Sequence, residues 1–248
     1  MKKPDQTPLK KPILILRTLL LALVFAGVGL VQSLNAQTYA LTNTWSIAAA
    51  PDIFINPTNH LTRGMTYNPV TGHLLVASRS PLPGQTNAIY ILDSATGATL
   101  GTLPYDSVMI TNGTFPINMV SVTADGVIYV CNLTTAATNP IVPFKLYRWA
   151  NESAMPTVAY VGDPSLGDTN GASPHRFGDS MAIRGTGAGT QILLGTLNQK
   201  MALLTTTDGL TFTAQKITTD GDASDTRWGL AWGDGDTFWA KQPSKNLK

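Results

Sequence analysis

The sequence predicts an all-β fold, a β-propeller of four-stranded antiparallel blades. Short runs of β-branched and aromatic residues alternate with Gly, Asp, Asn and Pro, the punctuation of strands and turns. Beyond the first 36 residues no ten-residue stretch carries a helical apolar period. An apolar, small, apolar triplet with a turn and a second strand after it recurs four times, as expected of a repeat architecture. Composition agrees: 22 Gly and 16 Pro interrupt a chain that is 43% hydrophobic and only 13% charged, against about 25% charged in ordinary globular domains.

Residues 1–36 read as a signal peptide. Lys2, Lys3, Lys10, Lys11 and Arg17 precede an almost unbroken apolar run from Leu19 to Val31, and Ala36 supplies a small residue before a cleavage point at Gln37. The run is shorter than the ~20 residues that span a bilayer, so no stable membrane span is expected after cleavage. Removing this leader takes away five basic residues and Asp5, leaving 12 basic against 14 acidic, a net charge of −2 where the whole chain has +2. No cluster of Lys and Arg along the mature sequence suits a phosphate backbone, and nucleic acid is excluded as a partner. The compartment expected is the periplasm or the exterior of the cell. Cys131 is the only cysteine, so packing and not a disulfide must stabilise the fold, and its apolar surroundings from Val127 to Val130 suit a buried thiol.

The propeller domain is expected over 37–248. Its triplets are Met65-Thr66-Tyr67, Val120-Ser121-Val122, Met181-Ala182-Ile183 and Leu230-Ala231-Trp232, whose starts lie 55, 61 and 49 residues apart. Blades of common propellers repeat at ~40–50 residues, so this period fits blades with generous loops. Second strands are expected at 73–77, 127–130, 190–194 and 237–240, third strands at 88–92, 144–149 and 201–205, and fourth strands at 98–103, 157–161 and 211–217. Blades are thus expected near 59–104, 115–162, 175–218 and 225–248, the last with two strands only. The stretch 39–47 reads as an orphan outer strand. Two arrangements fit: a four-bladed ring closed by that N-terminal strand, or a longer propeller of which this chain is a fragment.

The segment Ile89 to Leu100, with its Asp93-Ser94-Ala95-Thr96-Gly97 turn, resembles the strand, Asp-x-x-Thr-Gly, strand motif of bacterial YVTN and quinoprotein-like propellers. Its logic is an Asp that caps backbone amides and a Gly at positive φ. The blocks Phe177 to Ile183 and Ala202 to Gly209 are similar to an uncharacterised family of secreted bacterial propellers, a domain of unknown function. The resemblance covers most of 41–241 and implies a propeller fold, with no catalytic residues to carry over.

Site candidates come from topology. Residues two before each triplet, Arg63, Asn118, Asp179 and Trp228, should share the direction of the triplet's first side chain if the strand alternates regularly. Three of them are polar, which suits a ring of ligand-binding groups at the mouth of a central channel, although Arg63 and Asp179 equally suit the satisfaction of backbone groups. Asp220, Asp222 and Asp225 resemble the start of a calcium loop, but position six is Asp225 and position twelve Ala231 where an EF-hand needs Gly and Glu. No cofactor is otherwise expected. The Gly-rich run Arg184 to Gly189 precedes a strand and not a helix, and reads as a turn. Ser180 lies outside any G-x-S-x-G elbow. His60, His73 and His175 lack zinc spacing, and Glu152 is the only Glu, which leaves glycosidase chemistry to Asp. The tryptophans Trp45, Trp149, Trp228, Trp232 and Trp239 are expected to fill gaps between blades, with sugar stacking the alternative.

These features together point to an exported, bacterial binding or interaction module whose partner is a small molecule, a glycan or a protein. Two alternatives stand beside it: a propeller hydrolase, lactonase or lyase with a channel-mouth site, and a structural segment of a larger surface protein.

Overall fold

The computed structural model describes residues 40, 42–49, 54–55, 61–79, 87–135, 142–166, 176–197, 200–218 and 225–243. The chain divides by compactness after Asn43. Of the first unit, Ala40, Thr42 and Asn43 are described, all exposed; among the described residues every strand belongs to the second, Thr44–Lys248. Among the described residues no helix is long and apolar enough to cross a membrane.

Fourteen strands are defined among the described residues. The first sheet is a meander of β1 (Thr62–Asn68), β2 (His73–Ser78), β3 (Ala88–Asp93) and β4 (Thr99–Thr102). The second repeats the order with β5 (Phe115–Val122), β6 (Ile128–Leu133), β7 (Phe144–Trp149) and β8 (Thr157–Gly162). The third does so with β9 (Phe177–Arg184), β10 (Gln191–Thr196), β11 (Lys200–Thr205) and β12 (Thr213–Thr218), and β13 (Gly229–Trp232) pairs β14 (Phe238–Lys241). Every pairing is antiparallel. Each triplet falls in the first strand of its sheet, and the turns joining first to second strands are the tight ones that the sequence marks with Gly72, Gly126 and Gly235 at positive φ.

The sheets stack face on face because successive side chains point to opposite sides and the inner strands are apolar on both, β6 being buried at every position. Leu75, Ala77 and Ile89 of the first sheet meet Ile117, Val120, Ile128, Val130 and Trp149 of the second. The other face of the second sheet, with Cys131, Phe144 and Leu146, meets Phe177, Ile192, Leu194 and Leu204 of the third. The third in turn packs Leu193 and Met201 against Leu230, Trp232 and Ala240. The first strands β1, β5, β9 and β13 lie side by side in that order, a propeller-like arrangement.

Two expectations need correction. The described residues of 39–47 form no strand. Trp45 instead lies over Gly97, where any Cβ would collide with its ring at 2.5 Å, and its indole Nε1 donates to Ser94 O at 2.9 Å. Ile47 packs with Phe54 and Ile55 against Val76 and Tyr90, so among the described residues packing replaces a ladder. The strict alternation expected along each first strand also fails. A bulge interrupts β1 between Thr62 and Met65, β5 between Phe115 and Met119, and β9 opposite Leu194–Thr196. Bulges bend a strand and re-aim side chains, and Arg63, Asn118 and Asp179 all fall inside them.

Candidate functional site

Because bulges re-aim three of them and Trp228 precedes β13, the four residues expected to ring a channel have different fates. Arg63 and Trp228 are exposed, Asp179 is half-buried, and Asn118 is 2% exposed. Asn118 Nδ2 donates to Gly178 O at 2.5 Å, which makes it a fastener between the second and third sheets. The approach is close because Gly178 sits at φ +102 with Asn132 O where a Cβ would be. Backbone bonds reinforce the same junction: Thr134 and Phe177 exchange N–H···O bonds of 3.0 and 3.1 Å.

Asp179 stands beside Asn118's partner but faces arginines. Arg176 forks onto it, Nε to Oδ2 at 2.5 Å and Nη2 to Oδ1 at 2.8 Å, and Arg227 Nη1 lies 3.9 Å from Oδ2. Arg227 makes a second fork to Asp225 at 2.7 and 2.8 Å, and Trp228 Nε1 donates to the same carboxylate at 3.3 Å. Burial raises the Asp225 pKa, but the bonds from Arg227 outweigh it and hold the carboxyl below the usual range, while Asp225 holds the Arg227 guanidinium above its own.

Arg79, one residue past β2, completes the group. It is 6% exposed, its guanidinium lies 3.7 Å above the Phe115 ring, and Nε reaches Leu61 O only at 3.5 Å. Burial, and then the neighbouring charges of Arg63 and Arg176, push its pKa down to about 10 against the opposing pull of Asp179. Arg63, Arg79, Arg176 and Arg227 thus share one end of the stack with Asp179 and Asp225. They are four of the six arginines beyond residue 36. Sequence reasoning missed Arg79, Arg176 and Arg227 because they lie up to 164 residues from Arg63 in a chain without basic runs. The available signal was their recurrent place at the edges of first and second strands.

Of the calcium-like run, Asp220 and Asp222 lie outside the described residues, and both oxygens of Asp225 face Arg227. Among the described residues no three His, Cys, Asp or Glu side chains form a metal-holding group. Ser180 Oγ donates to Thr226 O at 3.2 Å, a bond tying β9 to the β13 approach. His60 and His175 lie outside the described residues; His73 opens β2. The Gly-rich run forms a single 3-10 turn, Gly187–Gly189. Trp149 is wholly buried, with Nε1 to Pro104 O at 2.8 Å. Trp232 sits under Arg184 with its ring centroid 3.7 Å away. These two pack between successive sheets as expected, whereas Trp45 caps the β3–β4 turn of one sheet and Trp228 and Trp239 are 65% and 53% exposed.

The stacked meanders with a charged cluster at one end define an all-β protein of propeller-like fold. The chain belongs to the family of Domain of unknown function DUF4623, whose model matches residues 28–212. It is similar to the crystal structure of a DUF4623 family protein from Bacteroides eggerthii at 21% identity and a TM-score of 0.55, over 72% of this chain and 40% of that one. This chain therefore spans two fifths of that relative's length. BamB from Moraxella catarrhalis matches at 15% identity and a TM-score of 0.42, over 82% of this chain and 48% of BamB. No curated protein matches.

Proposed function

We propose that the protein is an exported β-propeller that binds a ligand at the arginine-lined end of its first strands. The observation that carries this reading is the clustering of Arg63, Arg79, Arg176 and Arg227 around two carboxylates that pair with Arg176 and Arg227 only. Packing alone has no use for four guanidiniums at one junction, since charge burial costs free energy unless paired. Exposed Trp228, anchored by Asp225, adds an aromatic surface beside them. The basic leader and apolar run support export, with cleavage before Gln37 and residence in the periplasm or outside the cell.

Titration calorimetry of the purified protein against neutral and acidic sugars and short peptides tests the reading. Saturable binding that falls in Arg227→Ala and Trp228→Ala supports it. No binding across the panel, or binding indifferent to both substitutions, overturns it. N-terminal sequencing of protein recovered from the periplasm or medium is expected to begin at Gln37.

A further inference from the structure

Among the described residues, Arg79 is the member of the cluster that is buried without an ion-pair partner of its own. Its fork carries five donors, and among the described residues only Nε finds an oxygen, at the outer limit of a hydrogen bond. Asp179, the nearest opposing charge, is already committed to the Arg176 fork and to Arg227. Arg63, exposed and likewise without an ion pair among the described residues, adds a second positive charge instead of relief. Counting the four arginines and two aspartates, the junction carries a net +2, whereas residues 37–248 together carry a net −2.

Buried ions are normally paired, and a guanidinium held in a fixed plane is the side chain best matched to a planar or tetrahedral oxyanion. Phe115 supplies the fixed plane by stacking on one face of Arg79, which leaves the in-plane N–H groups to a partner. Resting on the reading that this end binds a ligand, we propose that the ligand carries an oxyanion, a carboxylate, sulfate or phosphate group, received by Arg79 and Arg63. Arg176 and Arg227 already engage the Asp179 and Asp225 carboxylates in their own forks. Burial of Arg79 lowers its intrinsic preference for charge, and an arriving anion restores it.

The test is titration of the full chain with inorganic sulfate, inorganic phosphate, glucuronate and, as the neutral control, glucose, each at two ionic strengths. The expected result is saturable binding of at least one oxyanion probe and none of glucose, weakened roughly tenfold or more in Arg79→Gln, less in Arg63→Gln, and weakened by added salt. The preferred probe separates carboxylate from sulfate or phosphate. Circular dichroism checks that Arg79→Gln is folded; if it is not, Arg79→Lys, which keeps the charge and loses the fork, takes its place with the same expectation. Oxyanion binding equal in wild type and both Arg79 variants overturns the proposal. Glucose binding that depends on Trp228, without any oxyanion preference, overturns the proposal while leaving the binding-module reading intact. Silence of all four probes with wild type overturns this inference; silence across the wider panel overturns both.

Discussion

His73 Nδ1 lies 2.7 Å from Glu152 Oε2, joining the start of β2 in the first sheet to the β7–β8 turn of the second. The other oxygen of this single Glu accepts from Asn68 Nδ2 at 2.7 Å and from Thr71 Oγ1 at 2.6 Å. One carboxylate thus closes the seam between two sheets at the end opposite the arginines.

Glu152→Ala is expected to destabilise the protein by about 2 kcal/mol, because removing the acceptor strands a buried amide whose desolvation is no longer repaid. That amide is Asn68, 1% exposed. Glu152→Gln, which keeps one acceptor oxygen, should cost less. Urea denaturation midpoints check the order, and equal midpoints for both variants would refute the account.

Glycines at the sheet junctions should be intolerant in proportion to what a Cβ meets. At Gly178, φ +102 combines with a clash against Asn132 O, and at Gly64 the added atom lies 2.5 Å from Val120 N. Either change to Ala is expected to cost about 2–4 kcal/mol. Gly187, also at positive φ but with nothing within 4 Å, should lose only about 1 kcal/mol. Thermal melts of the three variants rank them.

Stability should fall at both ends of the pH scale. Thr96 bonds hold the Asp93 carboxyl low, amides of Thr211 and Leu210 hold Asp208 lower still, and Asp225 is also depressed. Their contribution is present above the ordinary Asp value near ~3.9 and is lost as pH falls through the lowered folded values. Burial raises Tyr90, Tyr105, Tyr129 and Tyr147, and pushes Tyr160 up to about 12. Those groups ionise first in the unfolded chain, so stability declines as pH rises above about 10. Melting temperature should be flat between about pH 5 and 8, and Asp208→Asn should shallow the acid limb.

Cys131 should resist thiol reagents in the folded protein. Burial pushes its pKa up to about 12, and the thiolate is the reactive species. Labelling at about pH 8, near the pKa of a free thiol, is expected to wait for unfolding and to speed up sharply in denaturant; rapid native-state labelling would contradict the buried geometry.

The local chemistry was written plainly in the sequence. The Asp93 turn forms as its residues imply, with Oδ1 accepting from the amides of Ala95 and Thr96 at 3.0 and 2.8 Å and Gly97 at φ +75. Strand order came from four triplets, because two-residue alternation and short turns leave a meander as the simplest pairing. The bulges were marked only locally, by Gly64, Pro116 and Gly178 within the irregular stretches, residues that interrupt a strand without saying how it bends. They alone decide that Asn118 faces the sheet seam while Arg63 stays exposed.

Local pattern and side-chain type were enough for the all-β class, the sheet repeat and the buried thiol. Where the charges meet is a tertiary matter. Arg63, Arg79, Arg176 and Arg227 become neighbours only when four successive sheets stack with their first strands side by side, and no spacing along the chain encodes that distance. Periodicity says which face of a strand is apolar, whereas a site made of strand ends depends on how successive sheets are set against one another.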